Sequence, residues 1–232
     1  MLESGEELSL YEDVILNFDL LLKKSIDDKE RDKILKMNQE YDVYYVALQS
    51  LKNRFRSVKD LKELLIKKQY PEEYVNMAID KLLKQGYLDD CSFAKAYINQ
   101  QMITTSKGPF KIERELLDKG VSSDIIYREL AVFTKEEQIV KIEKIATRLI
   151  KSNRSRGGMV LRKKITYDLQ NLGYDVSVIN EGLANVEFSD TKDIQKREYE
   201  KLYRKLSKKY SGRELEFKIR EKLYQKGLYY ED

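Results

Sequence analysis

With 232 residues, 41% of them apolar and 36% charged, the chain has enough for a sizeable core of helices with narrow apolar stripes, and wholesale disorder is excluded. It has no histidine and one cysteine, Cys91, so a Ser–His or Cys–His triad is excluded and no metal, cofactor or enzymatic activity is expected. The net charge of +4 conceals an acidic leader, six Lys/Arg against twelve Asp/Glu in residues 1–42, ahead of a body carrying +10.

The leader comes first in chain order. Residues 12–18, from Glu12 to Phe18, read as a strand or a short helix, and residues 27–41 as a polar helix. The start of the chain is acidic, unlike a signal peptide. No apolar run reaches the roughly 18 residues of a membrane span. Together with the lone cysteine, this points to a protein of the cytoplasm with no membrane association. Tyr44, Val46, Ala47, Leu48 and Leu51 then mark a further helix.

From there the sequence repeats. Four anchors, Gln69, Gly120, Gly173 and Gly227, are spaced 51, 53 and 54 residues apart. Eight before each stands Leu61, Ile112, Ile165 or Ile219; four before, Leu65, Leu116, Leu169 or Leu223; one after, Tyr70, Val121, Tyr174 or Leu228. Downstream of the first three anchors the match continues with Tyr74, Ile125 and Val178, then Val75, Ile126 and Ile179. Ile79, Leu130 and Leu183 follow, and then Leu82, Phe133 and Val186.

This spacing predicts a helix ending at the anchor, a short loop and a second helix. Pro71 to Glu73 and Ser122 to Asp124 supply residues suited to a helix start. A third helix completes each unit at about 90–103, 135–151 and 190–209, striped in the later units by Ile139, Ile142, Ile145 and Ile150 and by Tyr199, Leu202, Tyr203 and Leu206. The expected architecture is all-α, a tandem array of three-helix repeats with an elongated, curved body. Its divisions are a leader over 1–42, repeat one with its preceding helix over 43–104, repeat two over 105–152, repeat three over 153–209 and a truncated terminal repeat over 210–232.

Two segments carry a resemblance. One runs Gly86, Tyr87, Leu88, Asp89, Asp90, then Phe93, Ala94 and Tyr97. The other runs Lys107, Gly108, Pro109, then Ile112, Glu115, Leu116 and Lys119 to Val121. With Ala47, Leu48, Arg54, Arg56 and Ser57 ahead of them, they resemble the RecX family of RecA regulators over about residues 43–230. The resemblance implies a crescent of three-helix units that binds along the RecA filament groove and limits filament growth or activity without being an enzyme. The expected partners are the RecA filament and single- or double-stranded DNA, with regulation of DNA repair, recombination and the SOS response as the setting and a monomer as the state. Longer members begin with a β-hairpin region, of which residues 8–18 would be a remnant. The competing readings are a RecA-independent DNA-binding protein and a helical scaffold for another protein.

Candidate contact residues are basic and sit at equivalent loops. From Lys151 to Lys164 the chain carries Lys151, Arg154, Arg156, Arg162, Lys163 and Lys164 with no acidic residue, around Gly157 and Gly158. Unit one offers Lys52, Arg54, Arg56 and Lys59; unit two, Lys107, Lys111 and Arg114; unit four, Lys208, Lys209, Arg213, Lys218 and Arg220. Unneutralised charge of this kind suits a polyanion or an acidic surface.

The remaining motifs have plainer readings. Asp89 and Asp90 are expected to cap the helix bearing Phe93 and Tyr97, and Pro109 to open a helix. Cys91 is expected to be structural, with no basic partner nearby in sequence. Tyr70, Tyr74, Tyr87, Tyr174 and Tyr199 are expected in the core, and Tyr210 on the surface, where it could stack on bases.

Overall fold

A computed structural model describes residues 7–23, 25–153, 155–156, 158–188 and 191–228. Among them the regular structure is helical throughout. In chain order the helices are α1 (Glu12–Asn17), α2 (Asp28–Asn53), α3 (Val58–Lys67), α4 (Glu72–Lys84), α5 (Asp90–Thr104) and α6 (Pro109–Asp118). They continue as α7 (Ser123–Leu130), α8 (Lys135–Ser152), α9 (Gly158–Asn171), α10 (Val176–Ala184), α11 (Thr191–Leu206) and α12 (Gly212–Gln225).

The ambiguous segment of the leader is thus a helix, α1, with Val14 buried. The polar helix and the apolar one after it are one continuous helix, α2. No glycine or proline interrupts it, and the Asp27 side chain caps its start by accepting the Glu30 N–H at 2.7 Å.

The chain divides into two compact units, Met1–Tyr97 with Glu115–Glu129, and Ile98–Arg114 with Leu130–Asp232. In the first, α2, α3 and α4 enclose Val43, Ala47, Leu61, Leu65, Val75, Ile79, Leu82 and Leu88. In the second, α11 and α12 close over Ile194, Leu202, Leu206, Leu215, Ile219 and Leu223. There too, α10 approaches α8 so closely that a Cβ on Gly182 would meet Ile142 Cγ2 at 2.7 Å.

The repeat columns explain these cores. All eight residues at the two columns before the anchor are essentially inaccessible. They face inward because positions four apart share one side of a helix. Burying a side chain of that size stabilises the fold by about 1.5–3 kcal/mol.

The anchors end their helices in the left-handed conformation, with φ of +67° at Gln69, +80° at Gly120, +90° at Gly173 and +71° at Gly227. What stands over them differs. Over three of them lies the start of the preceding unit's leading helix. Ser57 Oγ donates to the Lys119 carbonyl at 2.7 Å, and Lys59 Nζ donates to the Asp118 carbonyl at 2.9 Å. One unit on, the Gly108 N–H donates to the Leu172 carbonyl at 2.7 Å and the Phe110 N–H to the Gly173 carbonyl at 3.1 Å. The Tyr174 hydroxyl meets the Lys107 carbonyl at 3.3 Å. At the last junction Val160 covers Gly227. The carbonyls left free at one helix end are thus satisfied by the next element in the stack.

A Cβ on Gly173 would lie 2.5 Å from the Lys111 N, and one on Gly227 2.1 Å from Val160 Cγ2. Gln69 belongs to the first leading helix, and its side chain is exposed. Glycine occupies the anchor where backbone or side chain presses on it, and is replaced where nothing does.

Candidate partner-binding surface

The family-motif segments hold the fold. Leu88, Phe93 and Ala94 are buried, and Pro109 opens α6. Asp89 caps α5, accepting the Cys91 and Ser92 N–H groups at 3.0 and 2.9 Å. Hydrogen bonds from Ser92, reinforced by the Cys91 N–H and nearby Arg128, hold its carboxyl below the usual range.

Asp90 departs from the expectation. Its Oδ1 accepts the Val58 N–H at 2.9 Å, so it ties the start of α3 and does not cap its own helix. Burial pushes its carboxyl up. The Tyr97 hydroxyl donates to Glu115 at 2.8 Å, and burial raises its pKa. No group of three or more Cys, Asp or Glu suited to a metal ion occurs among the described residues. No helix among them is long and apolar enough to cross a membrane.

Two further expectations are corrected. Tyr87 is 60% exposed, because the left-handed Gly86 turns the chain out of the stripe. Tyr210 is half-buried against the core of α11 and α12, and the exposed tyrosines include Tyr87, Tyr127, Tyr167 and Tyr224. Cys91 has no basic partner nearby in sequence, but α7 brings Arg128 Nη2 to 2.8 Å from its Sγ, with Glu129 Oε1 at 3.3 Å.

The basic candidates fall into three states. Some are neutralised by a carboxylate one helical turn away. Lys164 pairs with Asp168, and Lys218 with Glu221 at 3.1 Å. Some border mixed charge. Arg54 and Arg56, with Lys67 and Lys119, line a hollow of about 250 Å³ that also holds Asp60 and Glu63. There Lys119 pairs with Asp60 at 3.0 Å, and Arg56 Nε donates to Ser50 Oγ at 2.7 Å.

The rest face solvent. Lys52, Lys111, Arg114, Lys151, Arg162, Lys163, Arg213 and Arg220 are exposed, while Lys107 and Arg156 are half-buried. Arg154 and Gly157 lie outside the described residues.

Periodicity does not single out Met159 and Tyr167, which stand on the outward face of α9 beside Arg162 and Lys163. Nor does it mark Lys141. Its ammonium donates to the Met102 carbonyl at 2.6 Å and lies 5.3 Å over the Phe133 ring, and burial lowers its pKa.

The chain is similar to known proteins along nearly its whole length. The family model described as "RecX, second three-helix domain" matches residues 89–128, which span α5 to α7 up to Arg128. The regulatory protein RecX of Halalkalibacterium halodurans is 32% identical, over 97% of this chain and 88% of that one. That of Listeria welshimeri is 30% identical, over 96% and 84%.

A crystal structure of a regulatory protein RecX superposes with a TM-score of 0.70 at 27% identity, covering 78% of this chain and 91% of the other. The RecX structure from Lactobacillus salivarius, at 24% identity, shares the fold with a TM-score of 0.60 over 64% and 96%.

Proposed function

The chain belongs to the RecX family of regulatory proteins, and from that premise we propose that it binds the RecA–DNA filament and restrains recombination and ATP hydrolysis there, so regulating DNA repair. The protein acts by occupying the filament, with no catalytic step of its own. Its setting is the cytoplasm, and it works as a monomer.

The observation that carries this reading is the cationic edge made by Arg156 and the second turn of α9. Arg156, Arg162 and Lys163 stand there without an ion pair among the described residues, whereas Lys62, Lys119, Lys135, Lys164 and Lys218 each hold a carboxylate. Cations left unneutralised repel one another unless a polyanion or an acidic surface meets them. Lys52, Arg54, Lys111, Arg114 and Arg213 offer weaker patches of the same sign at the equivalent loops.

The test is charge reversal. Arg156→Glu, Arg162→Glu and Lys163→Glu together are expected to weaken co-sedimentation with RecA filaments by at least about tenfold while circular dichroism stays helical. Undiminished co-sedimentation of the folded variant would exclude the basic surface as the point of attachment.

A further inference from the structure

The outward face of α9 differs from the matching face of the other leading helices. Counting back from the anchor, positions −10, −7 and −6 are wholly or partly exposed in each. In α3 they are Lys59, Lys62 and Glu63. Lys59 lies 3.8 Å from Glu63, and Lys62 pairs with Glu72 at 2.9 Å. In α6 they are Phe110, Glu113 and Arg114, and in α12 Phe217, Arg220 and Glu221. Each of these faces holds a carboxylate. In α9 the positions are Lys163, Thr166 and Tyr167, with Arg162 alongside and no carboxylate. The only acidic residue of α9, Asp168, is taken by Lys164.

Two further features accompany the charge. Met159 and Tyr167 are 75% and 64% exposed, although the buried side of the same helix has Leu161, Ile165 and Leu169 to fill its core. With Arg162, Lys163, Thr166 and Gln170 they border a shallow hollow of about 300 Å³. An exposed ring and thioether set among cations without a carboxylate partner, Arg162 lying 6.0 Å over the Phe188 ring, with a hydroxyl and an amide in reach, match the chemistry of an unpaired nucleotide strand. Phosphates meet the cations, a base stacks on the ring, and the polar groups face base edges. A duplex keeps its bases stacked away from such a ring, and an acidic peptide has nothing flat to lay on it.

We propose that this face of α9 binds single-stranded nucleic acid directly, with Tyr167 as the stacking platform and Arg162 and Lys163 as the phosphate-binding cations. Arg156, at the turn before the helix, extends the cationic edge. The inference deepens the filament reading by giving the strand its own binding face, and takes only its biological setting from that reading.

The experiment uses the full chain without recombinase. Fluorescence anisotropy of a labelled oligothymidine, long enough for one site of about 4–16 nucleotides, is followed across a salt series. The wild-type protein is expected to bind at low salt. Arg162→Glu with Lys163→Glu should flatten the plot of log affinity against log salt by about 0.7 for each phosphate no longer neutralised. Tyr167→Ala should weaken binding about fivefold or more, and Tyr167→Phe should stay within about twofold of wild type, because the ring is what stacks. Lys68→Glu with Lys84→Glu makes the same charge change on exposed positions elsewhere and should leave most of the affinity.

Absence of binding by the wild-type protein overturns the proposal. So does a folded Tyr167→Ala variant that binds like wild type, or a control pair that loses as much as the α9 pair. If the strand is not bound and recombinase activity is still restrained, the α9 site is wrong and the filament reading stands.

Discussion

Gln69 and Gly173 occupy the same place in their respective units and adopt the same left-handed backbone, yet their surroundings are opposite. Gly173 lies beneath the start of α6, and its carbonyl accepts the Phe110 N–H. Gln69 points its side chain into solvent. The difference separates two demands usually read together in an anchor glycine. A positive φ alone is tolerated by glutamine at a cost of about 1–2 kcal/mol. A positive φ under another segment's backbone leaves room only for hydrogen. The glycine column therefore marks the stacking of units as well as the ends of helices.

Substitutions at the anchors would break or sharpen that contrast. Gly173→Ala should have the largest effect. Backbone strain adds to a clash with the Lys111 N, for a loss of about 2–5 kcal/mol in denaturant unfolding. Gly120→Ala should cost somewhat less, about 2–4 kcal/mol, because its Cβ would meet Lys59 Cβ, fixed to the start of α3, at 2.9 Å, a looser approach than the 2.5 Å to a backbone nitrogen at Gly173. Gln69→Gly should stay within about 1 kcal/mol of wild type, relief of strain being offset by the greater freedom of the unfolded chain. Equal losses at all three positions would reduce the anchors to helix ends and nothing more.

The leader offers a smaller contrast, in pH. At the Gly173 junction the hydrogen bonds from Gly108 and Phe110 join backbone groups, which do not titrate. The leader is tied to α2, and α2 to the end of α3, by phenols on carboxylates. Tyr11 and Tyr70 donate to Asp42 at 2.6 and 2.8 Å, and Tyr45 donates to Asp13 at 2.5 Å. Their pKa values rise from 10.0 to about 12, through the carboxylate hydrogen bond first for Tyr11 and Tyr45 and through burial first for Tyr70. A raised value means that the folded form holds the proton more tightly. The stabilisation is complete below about pH 10 and is lost as the pH climbs through about 12. Tyrosinate absorbance should show these phenols titrating late in the wild type, and Asp42→Asn should bring Tyr11 and Tyr70 back toward their ordinary value.

Much of the fold was legible because the repeat is written in apolar residues. The columns at Leu65, Leu116, Leu169 and Leu223 are local to one helix, and periodicity reads them directly. The purpose of the anchors was not legible, since Gly173 answers to Lys111, far away in the chain. The role of Asp90 was hidden for the same reason. Its partner, the Val58 N–H, is distant in sequence, while Asp89 finds its partners two and three residues on.

Charge was legible as composition but not as a state. Lys164 and Arg162 read alike in the chain, and only the fold shows one paired and the other without an ion pair among the described residues. Tyr167 was legible in principle. The missing carboxylate at positions −7 and −6 of α9 stands out once the four leading helices are set in register, but only exposure separates a stacking platform from a core ring.

Restraint of RecA from the filament is tested most directly by ATP hydrolysis. RecA on single-stranded DNA would be titrated with the wild-type protein and with the variant carrying Arg156→Glu, Arg162→Glu and Lys163→Glu. Hydrolysis should fall as the wild-type protein is added at about micromolar levels and fall far less with the variant. Hydrolysis unchanged by the wild-type protein would contradict a role at the filament.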